Sequence, residues 1–358
     1  MSIDTVPPDA PPARQSSAAR FAMRAVPYLA AVLLALLVAA LVIWALGYDP
    51  VRAMRAIVVT TPRTNFGFVQ TLHKWVPLTL LAFAFVVPLA AGRFNIGGEG
   101  QMLVGAIAAT AAGITMSDLP LALLLPICLI ASVLAGMVWS GIAALLMQRF
   151  KVNEILSTVL LNFVSFYLLD YVASEVWPDT SAGHPATIPV GEGALLPTIW
   201  NPPMHTGVLL AIVVSAVVIV WGRRTTQGFH VRAVGLNERA AKLHGVRTGR
   251  TAVLAMLIGG AIAGLAGGIE VAGVHGKLIE GMQSNYLLLG IIIGLIARGS
   301  LLAVPFVAFG ISWLEVGASA MQRQAQVPAE LVLIVEGLIL VFLLLSDVIT
   351  ARLRRRAS

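Results

Sequence analysis

Apolar residues run on in long uncharged blocks along this chain. Residues 26–46 (VPYLAAVLLALLVAALVIWAL) hold no charge, and neither do residues 119–147. An α-helix needs about 20 such residues to cross the hydrocarbon core of a bilayer. The pattern predicts ten spans, at 26–46, 75–91, 101–117, 121–147, 155–170, 207–222, 252–269, 286–297, 299–314 and 329–345. The fourth is long enough to be tilted or bent at Pro126, and the eighth is short enough to be a broken helix. Helix is the expected form throughout, because lipid offers no partner to backbone polar groups and a β-barrel would show short alternating segments. The fold class expected is all-α and polytopic.

Composition points the same way. The chain is 58% hydrophobic and 11% charged, against about 25% charged in a soluble domain, so its solvent must be largely lipid. A net charge of +7 could signal nucleic acid, but the basic residues cluster at the ends of apolar runs, where the positive-inside bias puts them. No nucleic-acid partner is expected. The lone cysteine, Cys128, excludes an intrachain disulfide and a cysteine metal cluster. The six histidines show no metal-ligand pairing and read as surface residues, with His184 and His205 in one polar loop and His230 and His244 in a basic one. No nucleophile–base set stands out, so no catalytic or metal-binding residue is assigned.

Lysine and arginine set the orientation. None occurs between Lys151 and Arg223, so the loop 171–206, with Glu175, Asp179 and Glu192, is expected outside. The loop 223–250 carries Arg223, Arg224, Arg232, Arg239, Lys242, Arg247 and Arg250 and is expected inside. Alternation then puts both termini in the cytoplasm. Three parts are expected: a disordered tail over 1–24, a membrane unit over 25–350 that contains the loop 223–250, and a basic tail over 351–358. The loop 47–74 resists this scheme, being placed outside with Arg52, Arg55, Arg63 and Lys74. A short interfacial helix whose arginines reach headgroups would account for it.

Several segments carry polar detail. In FNIGGEGQ, Gly97, Gly98 and Gly100 weaken a continuous helix and let backbone approach a ligand, while Asn95, Glu99 and Gln101 offer donors and acceptors suited to hydroxyls or a nucleobase edge. A helix beginning near Glu99 would point its positive end into this turn, and Phe94 could stack on a base or sugar face. GGEGQ (97–101) precedes the third span and EGMQSN (280–285) the eighth. Spans five apart run in opposite directions, so this is an expected inverted repeat with Gly-interrupted helices at matching places. It points to a central path and adds Gln283 and Asn285 to its candidates. Asn162, with Ser157 and Thr158, makes a polar stripe that either glues helices or lines a channel. Glu336 sits mid-span, where a carboxylate must face protein or water. GVHGKL (273–278) is not a phosphate-binding loop, because Val271 replaces the upstream glycine and Leu278 the serine or threonine.

The most informative segment is GFHVRAVGLNERAAKLHGV (228–246). Asn237 is a good N-cap, Glu238 suits the first turn, Ala240, Ala241 and Leu243 are helix formers, and Gly245 is a suitable stop. A short capped helix in a long basic loop fits docking into a groove on a soluble partner. The segment resembles the coupling helix of bacterial ABC-transporter permeases of the nucleoside and simple-sugar branch, within the ribose-type, branched-chain permease superfamily. FNIGGEGQM (94–102) and NEILSTVLLNF (153–163) resemble the same branch, in the same order.

The resemblance implies a type II importer-like channel half. It would be driven by cytoplasmic ATP-binding subunits that use ATP and magnesium, and fed by an extracytoplasmic solute-binding protein. The second permease is expected to be a related but different chain. The resemblance makes Arg232, Gly235, Asn237, Glu238, Arg239 and Ala241 the candidates for ATPase coupling, and leans the substrate towards nucleosides over simple sugars. The alternative, an ion-coupled secondary transporter, would need coupling carboxylates in the membrane, and Glu336 stands nearly alone.

Overall fold

A computed structural model describes residues 33–57 and 64–328, together with eight positions between 331 and 345. The expected tails, 1–24 and 351–358, and Glu336 lie outside the described residues, as does most of the tenth expected span. Twelve α-helices can be bounded among the described residues: α1 (Leu33–Ala45), α2 (Pro50–Arg55), α3 (Asn65–Leu89), α4 (Gly98–Thr115), α5 (Leu121–Phe150), α6 (Glu154–Tyr171), α7 (Gly207–Arg224), α8 (Thr226–Leu236), α9 (Glu238–Leu243), α10 (Thr248–Glu270), α11 (Tyr286–Ile296) and α12 (Val304–Ala325). Six of them (α3, α5, α6, α7, α10 and α12) are long and apolar enough to cross a membrane, and α1 and α11 are shorter apolar helices. The protein is therefore all-α and polytopic.

Two helix limits differ from the sequence reading. The span expected at 75–91 is the second half of α3, which starts ten residues earlier at Asn65, where Thr64 caps the Gly67 N–H (3.0 Å). The apolar count alone missed this start because its first turns carry Gln70, His73 and Lys74. The span expected at 299–314 is displaced to Val304–Ala325, with Pro305 in its first turn. The resistant loop 47–74 is thus partly helix. Asp49 caps α2, whose Ala53 is buried, as are Ala56 and Ile57 just beyond it. Trp313 of α12 donates to the Ile57 carbonyl (3.1 Å).

Two helices form the centre. Of the most apolar stretch of each, 78% is buried in α3 and 72% in α10, against 22% in α5. For α10 and the helices against it the reason lies in side-chain size, whereas α3 is enclosed with large residues such as Leu78, Leu81 and Phe83. Along α5 the buried positions include Cys128, Ser132, Gly136 and Ser140, one every fourth residue, while Ile130, Leu134, Val138, Ile142 and Leu145 are exposed. Large apolar groups gain nothing by leaving lipid, so small residues that let backbones approach closely face inward. A methyl group on Gly264 of α10 would lie 2.9 Å from the Gly136 Cα, and one on Gly105 of α4 would lie 2.6 Å from the Gly264 Cα. Ser140 also donates to the Met256 carbonyl across the α5–α10 seam (2.7 Å).

The loop 171–206 folds over the other end of α10. A single π-helical turn, Val172–Val176, ends α6, and a second, Val271–His275, ends α10. Strands β1 (Thr198–Ile199) and β2 (Met204–His205) pair antiparallel. Leu278 N–H donates to Thr187 (3.1 Å), and Lys277 is ion-paired with Asp179 (2.9 Å). The Ser181 hydroxyl and the Lys277 ammonium hold the Asp179 carboxyl down at about 2. His205, expected at the surface, is buried. It stacks on His73 of α3 with ring centroids 4.2 Å apart. Burial, and then the neighbouring His73, pull the His205 imidazole down to about 4, so it is neutral at physiological pH.

Three outcomes follow. Gly264→Leu must push two backbones apart and is expected to cost several kcal/mol, more than the ~1–3 typical of an overpacked core. Gly310→Ala, with nothing within 4 Å, leaves the detergent melting temperature unchanged or slightly higher. For Asp179, a depressed native pKa means its contribution is complete above the ordinary carboxylate range and is lost as pH falls through that range towards about 2. The melting difference between the wild type and Asp179→Asn should accordingly be largest near neutral pH and vanish in acid.

Candidate functional site

The FNIGGEGQ segment builds a buried joint. After Leu89 the chain turns back, and Asn95 donates to the carbonyl of Ala84, so the segment climbs beside the helix it has just left (3.2 Å). α4 then starts alongside the middle of α3, where a methyl on Gly98 would touch Leu81 (3.3 Å) and Leu287 of α11 (3.0 Å). A helix start in such surroundings leaves N–H groups without water, and the polar residues supply the partners. The Asn95 and Gln101 amides face each other, each donating to the other (2.9 and 2.8 Å), and Asn95 accepts from Gly97 N–H (3.1 Å). Asn162, from α6, accepts from Gly100 N–H (2.9 Å) and donates to the Ile96 carbonyl (2.8 Å). Glu99, in the first turn of α4, accepts from Leu287 N–H at the start of α11 (3.3 Å). One carboxylate thus sits at the positive ends of two helices.

Five of the seven expected substrate-path residues are therefore near one another. Asn95, Glu99, Gln101 and Asn162 have the internal bonds just described, and Phe94 is exposed beside Phe85 (6.4 Å between centroids). Ser157 and Thr158 bond the Glu154 carbonyl of their own helix. Asn285 is exposed just before α11 in a left-handed conformation (φ 57°), and Gln283 lines a separate small cavity with Asp170 and Glu280.

A larger opening, about 850 Å³, lies between α3, the end of α10, the start of α11 and α12. Gln70, Lys74, Glu270, Tyr286, Glu315 and Ser319 help to line it. Arg323 lines it as well, and both acidic residues have basic neighbours in the wall. Lys74 lies 3.9 Å from Glu315 and 4.7 Å from the centre of the Tyr286 ring, and Glu270 is 3.5 Å from His275. Amide, hydroxyl and aromatic groups stand among these charges, an arrangement suited to a polar solute. The sequence reading missed this cavity. The available signal was the set of ionisable residues at or just inside span limits, Lys74, Glu270 and Glu315.

On the opposite side lies the basic loop 223–250. It holds two helices where one was expected, because Thr225 caps Gly228 N–H (3.1 Å) and starts α8. Asn237 then caps α9 by accepting from Ala240 N–H (3.0 Å). At its other end Gly245 (φ 82°) donates to the Lys242 carbonyl and Val246 to the Ala241 carbonyl, both at 3.0 Å, a complete Schellman ending. Ala241 is buried, whereas Arg232, Asn237, Glu238 and Arg239 are exposed. Leu236 and Leu243 are 88% and 89% exposed, an apolar pair at the tip of a basic segment. The segment is not free to swing, because a methyl on Gly235 would lie 2.9 Å from the Ala90 carbonyl carbon at the end of α3.

The sequence profile of the family described as branched-chain amino acid transport system / permease component matches residues 67–344. The chain belongs to this family. The permease is 34% identical to a glucose ABC transporter permease of Haloferax volcanii, over 88% of this chain and 86% of the relative. It is 31% identical to a guanosine ABC transporter permease of Bacillus subtilis, over 88% and 91%. A nucleoside ABC transporter permease of Lactococcus lactis subsp. cremoris is 26% identical over 91% and 92%. This permease is thus a multi-pass membrane component of an ABC transporter, and such a component has no catalytic role of its own.

The joint generates one prediction. Asn162→Ala strands Gly100 N–H and the Ile96 carbonyl, at about 1–3 kcal/mol for each buried group. Its melting temperature in detergent should fall clearly, while Thr158→Val, which removes only a bond within its own helix, shifts it little.

Proposed function

We propose that this permease is one half of the channel of an ATP-driven importer for neutral, hydroxyl-rich solutes, nucleosides or simple sugars. The observation that carries the reading is the rigid basic finger. α9 is capped at both ends, α8 is seated without a side chain against the end of α3, and two leucines stand nearly bare at the tip. A finger of this build fits a groove on a folded partner, and the partner is a cytoplasmic ATP-binding subunit that uses ATP and magnesium. Arg232, Gly235, Asn237, Glu238, Arg239 and Ala241 form the docking element. It lies inside, with both termini, in a bacterial inner membrane.

The cavity walled by Gln70, Tyr286 and Ser319 is the mouth of the path on the side fed by a solute-binding protein. The joint of Asn95, Glu99, Gln101 and Asn162, with Phe94 beside it and Gln283 and Asn285 ahead of α11, is the moving part of that path. Two features support an inverted repeat within a ten-span, type II-like channel half. The central helices α3 and α10 are the second and seventh expected spans, and α4 and α11, whose starts meet at Glu99, are the third and eighth. Relatives named for guanosine, for nucleosides and for glucose support the substrate class. Two guanosine permeases of Bacillus subtilis both resemble this chain, which supports a related but different second half.

Replacing residues 236–243 with a Gly/Ser linker should abolish uptake of radiolabelled solute into cells while the protein still inserts at normal levels. Uptake at the wild-type rate in that variant would overturn the reading. Competition of the uptake by unlabelled guanosine or glucose then assigns the substrate.

A further inference from the structure

Between the finger and the buried joint stands one side chain that the sequence reading did not single out. Arg93 directly precedes FNIGGEGQ. Its guanidinium lies 3.1 Å from the Glu238 carboxylate at the start of α9 and 4.0 Å from that of Glu154 at the start of α6. Its backbone follows Gly92, whose left-handed conformation (φ 72°) brings the turn under Gly235. Each contact leads inward. Two residues on, Asn95 enters the buried amide network. Two turns along α6 from Glu154, Asn162 holds Gly100 and Ile96. From there Glu99 reaches the first turn of α11.

We propose that Arg93 is the positioning residue that ties the docking finger to the buried helix starts, so that displacement of α9 moves the 93–98 segment and α6 together. Glu238 is half exposed (51%), so solvent weakens its side of the pair, while Arg93 is largely buried (25%). What the geometry supplies is direction. A carboxylate on the finger and one on α6 grip the same planar group, which can hold two partners in a fixed relation as a lysine cannot. The inference rests on the reading of 223–250 as the ATPase-docking segment.

The test uses the full transporter, with its ATP-binding subunit and solute-binding protein, in proteoliposomes. Arg93→Gln and Glu238→Gln should each lower solute moved per ATP hydrolysed by about tenfold, within the usual range of coupling energies. Basal ATP hydrolysis and melting temperature of the Arg93→Gln transporter should stay near wild type. The double variant should be no worse than either single variant, because the two residues act as one unit. Arg93→Lys should recover only part of the loss. Effects that multiply in the double variant, or an unchanged transport-to-hydrolysis ratio, would overturn the proposal. So would a fall in uptake that merely tracks a fall in melting temperature. Glu238→Gln keeps the test decisive should Arg93→Gln fold poorly, since Glu238 is on the surface. A dead Gly/Ser linker variant beside a normal Arg93→Gln would refute the role of Arg93 alone, whereas an active linker variant would refute the docking reading itself.

Discussion

A helix that begins inside an apolar bundle leaves its first N–H groups facing nothing that can accept a hydrogen bond, and the rest of this structure is arranged around meeting that demand. α4 starts beside the middle of α3, not at its end. In water the cost would be trivial. Here each stranded amide would cost about as much as a single core mutation. The protein meets it through Asn95, which accepts from Gly97 N–H, and Asn162, which accepts from Gly100 N–H and donates to the Ile96 carbonyl; Gln101 holds the Asn95 amide, and Glu99 serves the start of α11. That explains why the segment is at once rich in glycine and rich in Asn, Glu and Gln. Glycine lets the backbone turn and approach, and the amides replace the missing solvent.

The same solvent argument inverts ordinary packing. In water, large apolar side chains go inside because burial removes them from water. In lipid that gain disappears, and contact area between backbones becomes the available source of cohesion. The α4–α5–α10 contact follows this rule, with Gly105, Gly136 and Gly264 at the centre and leucine, isoleucine and valine turned outward along α5. Close backbone packing also makes these helices poor at deforming. A rearrangement there must be a rigid displacement of whole helices, which suits a transporter whose path is to open on alternate sides.

How much of this could be read from the chain depended on whether the signal was local. The apolar runs set the all-α polytopic class, and the caps of α9 were legible because Asn237 and Gly245 act on their own neighbours. The start of α3 was not legible by apolarity, since Gln70, His73 and Lys74 face the cavity and interrupt the run. The cavity itself forms where α3 meets α10, α11 and α12, which follow it only much later in the chain, and no spacing rule announces it. Asn95, Gln101 and Asn162 stood out in the sequence as substrate-path candidates, but a buried amide has two uses, binding a ligand and replacing water for the backbone. Only the partner atoms distinguish them. His205 illustrates the same limit, since a histidine in a polar loop looks exposed until the loop folds onto α3.

The position of Glu99 has a mechanical consequence. A carboxylate bonded to the start of a neighbouring helix while sitting in the first turn of its own ties two helix ends through one short side chain. The two helices leave this point in opposite directions, α11 packed along α3 at Gly290 and Gly294 and α4 along α10 at Gly105. A shift of the 93–98 segment therefore cannot be absorbed by α4 alone. Either Glu99 carries the start of α11 with it, or the bond breaks and leaves an unpaired amide and a desolvated carboxylate. The second outcome is the costlier one. The seam thus favours concerted movement of both helices, and α11 forms part of the cavity wall through Tyr286. In the proposed coupling, a small displacement on the finger side would be converted in this way into a change in the shape of the cavity on the other.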